Sequence, residues 1–461
     1  MRSALVVSAA LALACNLACN SAEVEPPPPL LEPRSGAALT FGTPKDDCAE
    51  CHPQHVAEWS ISPHAYAARD PVFHAMVRMG QNQTKGKLGQ FCIQCHSPPA
   101  LALGTAPVYS DETGTFRQDT DQIPPLEREG VSCDVCHSIT EVIQPVNARA
   151  VLTPNGVRRA TIQDPVENSK HPSAYSPLHK ESLLCGMCHA VTNPKQAKIE
   201  ETFTEWQASS FAQPGGQTCQ DCHMRTYEGQ AAKDGPTRTV HRHTFVGVDI
   251  SLLPPDEFPG YDELRTMTEE LLRESAEVTV TVQPEQERLQ VRIKNLTGHA
   301  LPSGATAERQ MWVELIVTTS SGAVAFESGT LDPLGDLRDP NPSHSTMPGT
   351  DPQLIYYGQQ LVDDPRVDDP NATLPMKNVS MPWQANAARN FMIPVDSEDL
   401  RHFDLSALPA GRYDVSFRLM FRSFPQYFLR ILEGAAELDP AVKTRVPNMV
   451  MYQQNLSYQA P

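Results

Sequence analysis

The stretch CAECH at residues 48–52 places two cysteines three positions apart with a histidine directly behind the second. Cysteines at that spacing suit zinc ligation, thiol redox chemistry or a disulfide. The arrangement recurs as CIQCH (92–96), CDVCH (133–137), CGMCH (185–189) and CQDCH (219–223). Zinc and redox thiols give no reason for histidine to follow the second cysteine in all five motifs. Covalent haem attachment does, because two thiols add to the porphyrin vinyl groups and the next residue then lies under the iron as its proximal imidazole. The sequence therefore predicts five covalent haems c, held by Cys48 and Cys51, Cys92 and Cys95, Cys133 and Cys136, Cys185 and Cys188, and Cys219 and Cys222. Their proximal ligands would be His52, His96, His137, His189 and His223. The motifs use ten of the twelve cysteines, and the other two, Cys15 and Cys19, lie near the start of the chain. None is left for a disulfide framework or a conventional zinc site.

The elements that must hold these motifs change character along the chain. From Cys48 to about Phe258 there is little sustained periodicity, yet five haems must be housed in about 210 residues. Short helices and long loops wrapped around cofactors are expected, with helices at PQHVAEWSIS, PVFHAMVRMG and PLHKESLLCGMCH. After SLLPPDEFPG and a helix at YDELRTMTEELLRES, the pattern turns to period two in AEVTVTVQ, RLQVRIKN, RQMWVELIVTT, AVAFESG and GRYDVSFRLMFRSF. The expected class is α+β and multidomain, a mostly helix-and-loop multihaem domain followed by an antiparallel β-sandwich-like domain. The boundaries read as a signal peptide at 1–14, a Pro-rich tether at 15–44, the pentahaem domain at 45–258, a linker helix at 259–275, the sandwich at 276–435 and a tail at 436–461. The Pro- and Asp-rich segment from Asp332 to Pro375 reads as a solvated loop.

The first residues, MRSALVVSAALALAC, fit a signal-peptide hydrophobic region and are too short to span a bilayer. Cys15, followed by a polar run through EVEPPPPLLEP, resembles the lipidation site of a bacterial lipoprotein; cleavage by the ordinary signal peptidase is the other reading, and Cys19 a weaker lipidation site. An exported protein is expected, periplasmic or an outer-membrane or cell-surface lipoprotein anchored at Cys15. No later apolar run approaches transmembrane length. The net charge of −18 argues against a nucleic-acid partner and favours redox donors and acceptors with basic docking patches. Oligomeric state is not encoded legibly.

Fifteen histidines less five proximal ones leave ten: His55, His64, His74, His171, His179, His241, His243, His299, His344 and His402. His64 follows a Ser-Pro break that points it away from the haem of His52, toward another. His171 and His179 flank PSAYSPL, where either can cap a neighbouring iron. His299 lies in a Gly- and Pro-bounded loop from which it can reach back to a haem. His241 and His243 share one side of an extended chain, so one of them is expected to coordinate. His55 reads as a neighbour of the first haem or as exposed, His74 as a reserve ligand, and His344 and His402 as solvated. Trp59, Trp206, Trp312 and Trp383 read as packing rather than as electron relays. Arg225 and Lys180 are expected to pair haem propionates.

The segments CAECHPQHVAEWSISPHAYA, HPSAYSPLHKESLLCGMCHAVTNP, TEWQASSFAQPGGQTCQDCHM, HRHTFVG and NLTGHALPSGATAERQMWVEL resemble the multihaem c-type cytochrome family related to the nitrifier tetrahaem cytochrome that accepts electrons from hydroxylamine oxidoreductase. The resemblance spans about residues 47–330, and its more specific elements are Trp-x-x-Ser-x-His-Ala and Gly-His-x-x-Pro-Ser-Gly. It implies that His64, His171, His179, His243 and His299 serve as distal ligands. The chain departs from the namesake by its fifth motif and its β-rich C-terminal part, so ligand pairing does not carry over.

Bis-histidine iron cycles one electron without binding substrate, so the expected function is an exported electron-transfer cytochrome, mostly bis-His ligated. The alternative is a multihaem oxidoreductase acting on a small nitrogen or sulfur compound at one five-coordinate haem. A third reading is a module of a larger extracellular conduit, docked through its β domain. The sequence holds no HExxH, P-loop or nucleophile elbow, and no motif with Lys in place of its final His.

Overall fold

The computed structural model describes residues 40–461 except 155, 259, 340–349, 365 and 367–376. The leader with Cys15 and Cys19, nearly all of the tether and His344 lie outside the described residues. Among those described, no helix is long and apolar enough to cross a membrane.

The first half is built from short helices punctuated by proline at their first turn. Pro53–Ser60 and Pro63–Tyr66 follow the first motif, and Ser62 caps the second of them by accepting from the Ala65 N–H. Pro71–Thr84 is the longest helix here. Asp70 caps its start by accepting from Val72 N–H at 2.8 Å, and Lys85 ends it in the left-handed region at φ 53°. Its apolar faces divide: Val72, Ala75 and Met79 join the main core, while Phe73 and Val77 join a smaller cluster with Ile93.

Short strand pairs hold the loops between motifs. Arg158–Ala160 pairs in parallel with Ser173–Tyr175, Val191–Thr192 with Lys198–Glu200 antiparallel, and Thr226–Gln230 antiparallel with Thr237–His241. Each delivers groups to a motif histidine, as described below.

The second half follows the alternation read from the sequence. After the helix Tyr261–Glu274, the strands Ala276–Gln283, Arg288–Asn295 and Glu398–Asp404 form one antiparallel sheet. A second sheet runs Val324–Ser328, Gln310–Thr319, Gly411–Arg422, Met449–Ala460. Leu289, Val291 and Ile293 of the first meet Val313, Leu315, Val317, Phe417 and Leu419 of the second in one core. Where a tail is expected after residue 435, Met449–Ala460 is a 12-residue strand in register with Gly411–Arg422 from Gly411↔Ala460 to Phe421↔Met449. Its polar Gln and Asn residues fall on the less buried positions and hide the pattern. The helix Gln426–Ala436, also not foreseen, lies against Pro71–Thr84. Tyr66, Val72, Ala75, Met79 and Leu88 therefore share a core with Phe417, Phe428 and Leu432, so the largest core spans both halves of the sequence, while two smaller clusters, around Ile139 and around Ile93, lie in the first half.

Candidate haem-attachment sites

Four motifs sit in or at the end of one helical turn, at Ile93–His96, Cys133–His137, Leu183–Gly186 and Cys219–His223, the last capped reciprocally by Thr218 and Asp221. All ten motif cysteines are free and partly accessible. A Cβ on Gly186, between Cys185 and Cys188, would fall 2.4 Å from the Phe203 ring, so only glycine lets this motif pack. Among the described residues, the only three ligating groups that converge within 4.8 Å are His55, Glu58 and His243. Among the described residues, no motif brings its two cysteines and histidine together as such a group. Thiols of different motifs act on one another's ionisation: Cys48 and Cys133, Cys185 and Cys219, and Cys95 on Cys188.

Every motif histidine has its Nδ1 directed at an oxygen. His52 Nδ1 meets Ala231 O at 2.6 Å, His96 meets Ala67 O at 3.0 Å, His137 meets Arg159 O at 2.6 Å and His223 meets Val246 O at 2.6 Å. His189 Nδ1 instead meets the Glu200 carboxylate at 3.1 Å. A carbonyl only accepts, so Nδ1 carries the proton and Nε2 presents its lone pair, the tautomer that ligates a metal through Nε2. The turn after Gln230 supplies Ala231, and the pair Arg158–Ala160 with Ser173–Tyr175 supplies Arg159.

Histidines from outside the motifs face these rings. Two bonds of about 2.0 Å to one metal, plus the ring radii, separate facing imidazole centroids by about 6.3 Å. His171 lies 6.3 Å from His52, His243 lies 6.2 Å from His137 and His64 lies 6.4 Å from His189, while His55, one helical turn after His52, also lies 6.4 Å from it and 4.5 Å from His243. Of the ionisable groups that act on His223, His299 is the foremost. His243 Nδ1 meets His241 O at 2.9 Å and His299 Nδ1 meets Ala300 O at 3.0 Å, so these rings also offer Nε2. His179 lies 5.7 Å from His137, but its Nε2 donates to Cys136 O at 3.0 Å, leaving a buried Nδ1 without a hydrogen-bond partner. Around His96 the pattern differs. Phe73 covers its ring face at 4.5 Å and 8°, and among the described residues no ring contact pairs it with a second histidine. His74, next to Phe73, bonds Thr120 Oγ1 through Nδ1 at 2.6 Å.

Burial pushes His64 and His243 down to about 3, and His74, His179 and His223 down to about 4. It also lowers His52, His96, His137 and His299, holding all nine neutral as iron ligation requires. Groups with depressed folded values contribute full stability above the ordinary histidine value, and lose it as pH falls because the unfolded chain takes up protons first. Burial raises Asp70 to about 6 and Glu308 to about 7 and also raises Glu129, Glu205 and Asp336, while the Glu200 carboxylate lifts His189 to about 9 against its burial; these six act in the opposite sense, but the nine lowered imidazoles outnumber them. The melting temperature is therefore expected to fall between pH 7 and pH 5. A flat or rising Tm across that interval contradicts this assignment of burial.

Several supporting residues carry no motif. Glu58, 5% exposed, accepts from His243 N–H at 2.9 Å and from Arg242 at 2.8 Å, and so fixes the segment that presents His243. The His299 loop is clamped from two sides. Asn295 Nδ2 donates to His299 O at 2.7 Å, and Glu205 accepts from Ala300 N–H at 3.0 Å and Ser303 O–H at 2.7 Å. His55 lies 4.5 Å from His243, with Nδ1 3.8 Å from Glu58. His241 bonds Met224 O at 2.8 Å, and His402 is exposed on its strand. Arg225 pairs with Glu274 and Lys180 lies over Tyr175, partners that the sequence did not suggest. The four tryptophans each donate an indole hydrogen bond within the protein, to Val131, Gln217, Gly329 and Gln83.

Residues 47–138 match the family model described as Cytochrome c554 and c-prime. The fold is similar to that of a penta-haem cytochrome c552 from Thermochromatium tepidum, with a TM-score of 0.59 and 18% identity, covering 90% of this chain and 98% of that one. No curated protein matches the chain. The family match and the shared fold, taken with the site geometry, support a multihaem c-type cytochrome.

Proposed function

We propose that the protein is an exported electron-transfer cytochrome with five covalent haems c, whose axial pairs include His52 with His171, His137 with His243, His189 with His64 and His223 with His299. The observation that carries this reading is the set of facing imidazoles at 6.2–6.4 Å, each motif ring already oriented by an oxygen on Nδ1. When bound, haem supplies one reversible electron per site. The chain's own part is to hold the imidazoles in place, with burial disfavouring the charged forms of His52, His64, His137, His223, His243 and His299; with both nitrogens ligated, no coordination position would remain for a substrate at those sites.

In this proposal the haem order follows the thiols that act on one another. Motif one adjoins motif three, motif four adjoins motifs two and five, and Cys136 of motif three acts on Cys188 of motif four. Motif four is thus the junction through which electrons from either end pass. The charge of −18 suits redox partners with basic docking patches, met faster at low salt. A lipid anchor at Cys15 and a periplasmic or outer-membrane location complete the proposal, and kinship with the nitrifier electron acceptor rests on the motif resemblance.

A second reading, an oxidoreductase of small nitrogen or sulfur compounds, is favoured at one place only. His96 stands outside the facing pairs, with His74 as the nearest reserve ligand. Carbon monoxide difference spectra of the reduced, haem-loaded protein separate the readings. The expected result is binding at no more than one haem, lost when Cys92 and Cys95 are both replaced by Ala. Binding at two or more haems contradicts the proposed axial pairs.

A further inference from the structure

Four motif histidines rest on backbone carbonyls, and one rests on an anion. Glu200 Oε1 lies 3.1 Å from His189 Nδ1, with its side chain only 14% exposed. The carboxylate is held rigidly. Glu200 is paired across the Val191–Thr192 and Lys198–Glu200 hairpin with Val191, Ala305 N–H binds its carboxylate, and Thr202 Oγ1 approaches at 3.5 Å. Arg309, a cation acting on Glu200, is engaged with Asp249 at 2.8 Å, so it does not cancel the charge on the imidazole.

We propose that Glu200 is a positioning residue that makes the haem attached at Cys185 and Cys188 the lowest-potential member of the array. This rests on His189 being that haem's proximal ligand. A buried carboxylate accepting the Nδ1 proton gives the imidazole imidazolate character, and its charge favours ferric over ferrous iron; a neutral carbonyl does both more weakly. With motif four at the junction of the proposed array, the residue sets the height of the step there and so the rate at which electrons cross it.

The test is a haem-resolved spectroelectrochemical titration of the haem-loaded protein and its Glu200→Gln and Glu200→Asp variants. The expected result for Glu200→Gln is that the lowest of the five potentials rises while the covalent haem count and spin states stay unchanged. Glu200→Asp, which keeps the charge, should retain a low value. An unmoved lowest potential in Glu200→Gln overturns the inference, as does an equal rise in both variants. His189→Ala separates this from the ligand assignment. If it leaves all haem spectra unaltered, the reading of His189 as ligand fails; if it alters one haem while Glu200→Gln moves none, only the role of Glu200 fails. Should Glu200→Gln not mature, near-infrared magnetic circular dichroism of the unaltered protein decides. One low-spin band displaced in the imidazolate direction supports the inference, and a uniform set of bands overturns it.

Discussion

Replacing His64 by Ala is expected to convert one haem from low spin to high spin and to leave the number of covalent haems unchanged. The His64 ring lies 6.4 Å from His189 and 4.5 Å from the Phe245 ring, and burial keeps it neutral. Its backbone is held independently of the ring. Val131 N–H donates to His64 O at 3.1 Å, Trp59 donates back to Val131 O at 2.9 Å, and a Cβ on Gly130 would fall 2.4 Å from that same His64 oxygen. Gly130 adopts φ +64°, a conformation glycine takes without strain. On the proposed ligation, loss of the imidazole would remove a ligand without removing the support, and thioethers at Cys185 and Cys188 would still hold the haem. EPR and optical spectra of the oxidised variant read the change directly, and new carbon monoxide binding on reduction locates it. An unchanged spectrum would strike His64 from the ligand set.

The second large effect is on stability. Phe428→Ala is expected to cost about 3–5 kcal/mol, the range for emptying a buried phenylalanine site. Phe428 is 1% exposed, lies 6.1 Å from Phe424, and belongs to the helix Gln426–Ala436 that packs on Pro71–Thr84. Because residues of both halves of the sequence share this core, the loss is expected to appear in one transition. Far-ultraviolet circular dichroism, which reports the sheets, and Soret absorbance, which reports the haem environment, should shift together on heating. Two separate transitions, with only the β signal moved, would show that the halves unfold independently.

Attachment chemistry and strand positions were legible because each has a local signature. A CxxCH motif states its chemistry in five letters, and AEVTVTVQ or RLQVRIKN alternates as a strand with one buried face must. The groups that orient the rings were not legible. Ala231, Ala67, Arg159 and Val246 act through backbone carbonyls, which any residue supplies, and only the fold brings them to His52, His96, His137 and His223. Glu200, Glu205 and Glu58 read as ordinary surface acids until strand pairing and helix packing turn them inward. The resemblance named five distal histidines. The structure brings His64, His171 and His243 opposite motif rings, sets His299 to act on His223, and turns His179 toward Cys136 O. The last strand escaped notice because Gln453, Gln454 and Asn455 interrupt its apolar alternation.

Facing histidine pairs are proposed to hold most of the irons from both sides. An EPR spin-state count on the fully oxidised, haem-loaded protein, normalised to covalent haem by intact mass, tests it most directly. Five haems are expected, at least four of them low spin with bis-imidazole signatures, and any high-spin signal confined to the haem on Cys92 and Cys95. Fewer than four low-spin haems, or a high-spin signal that survives removal of Cys92 and Cys95, would contradict it.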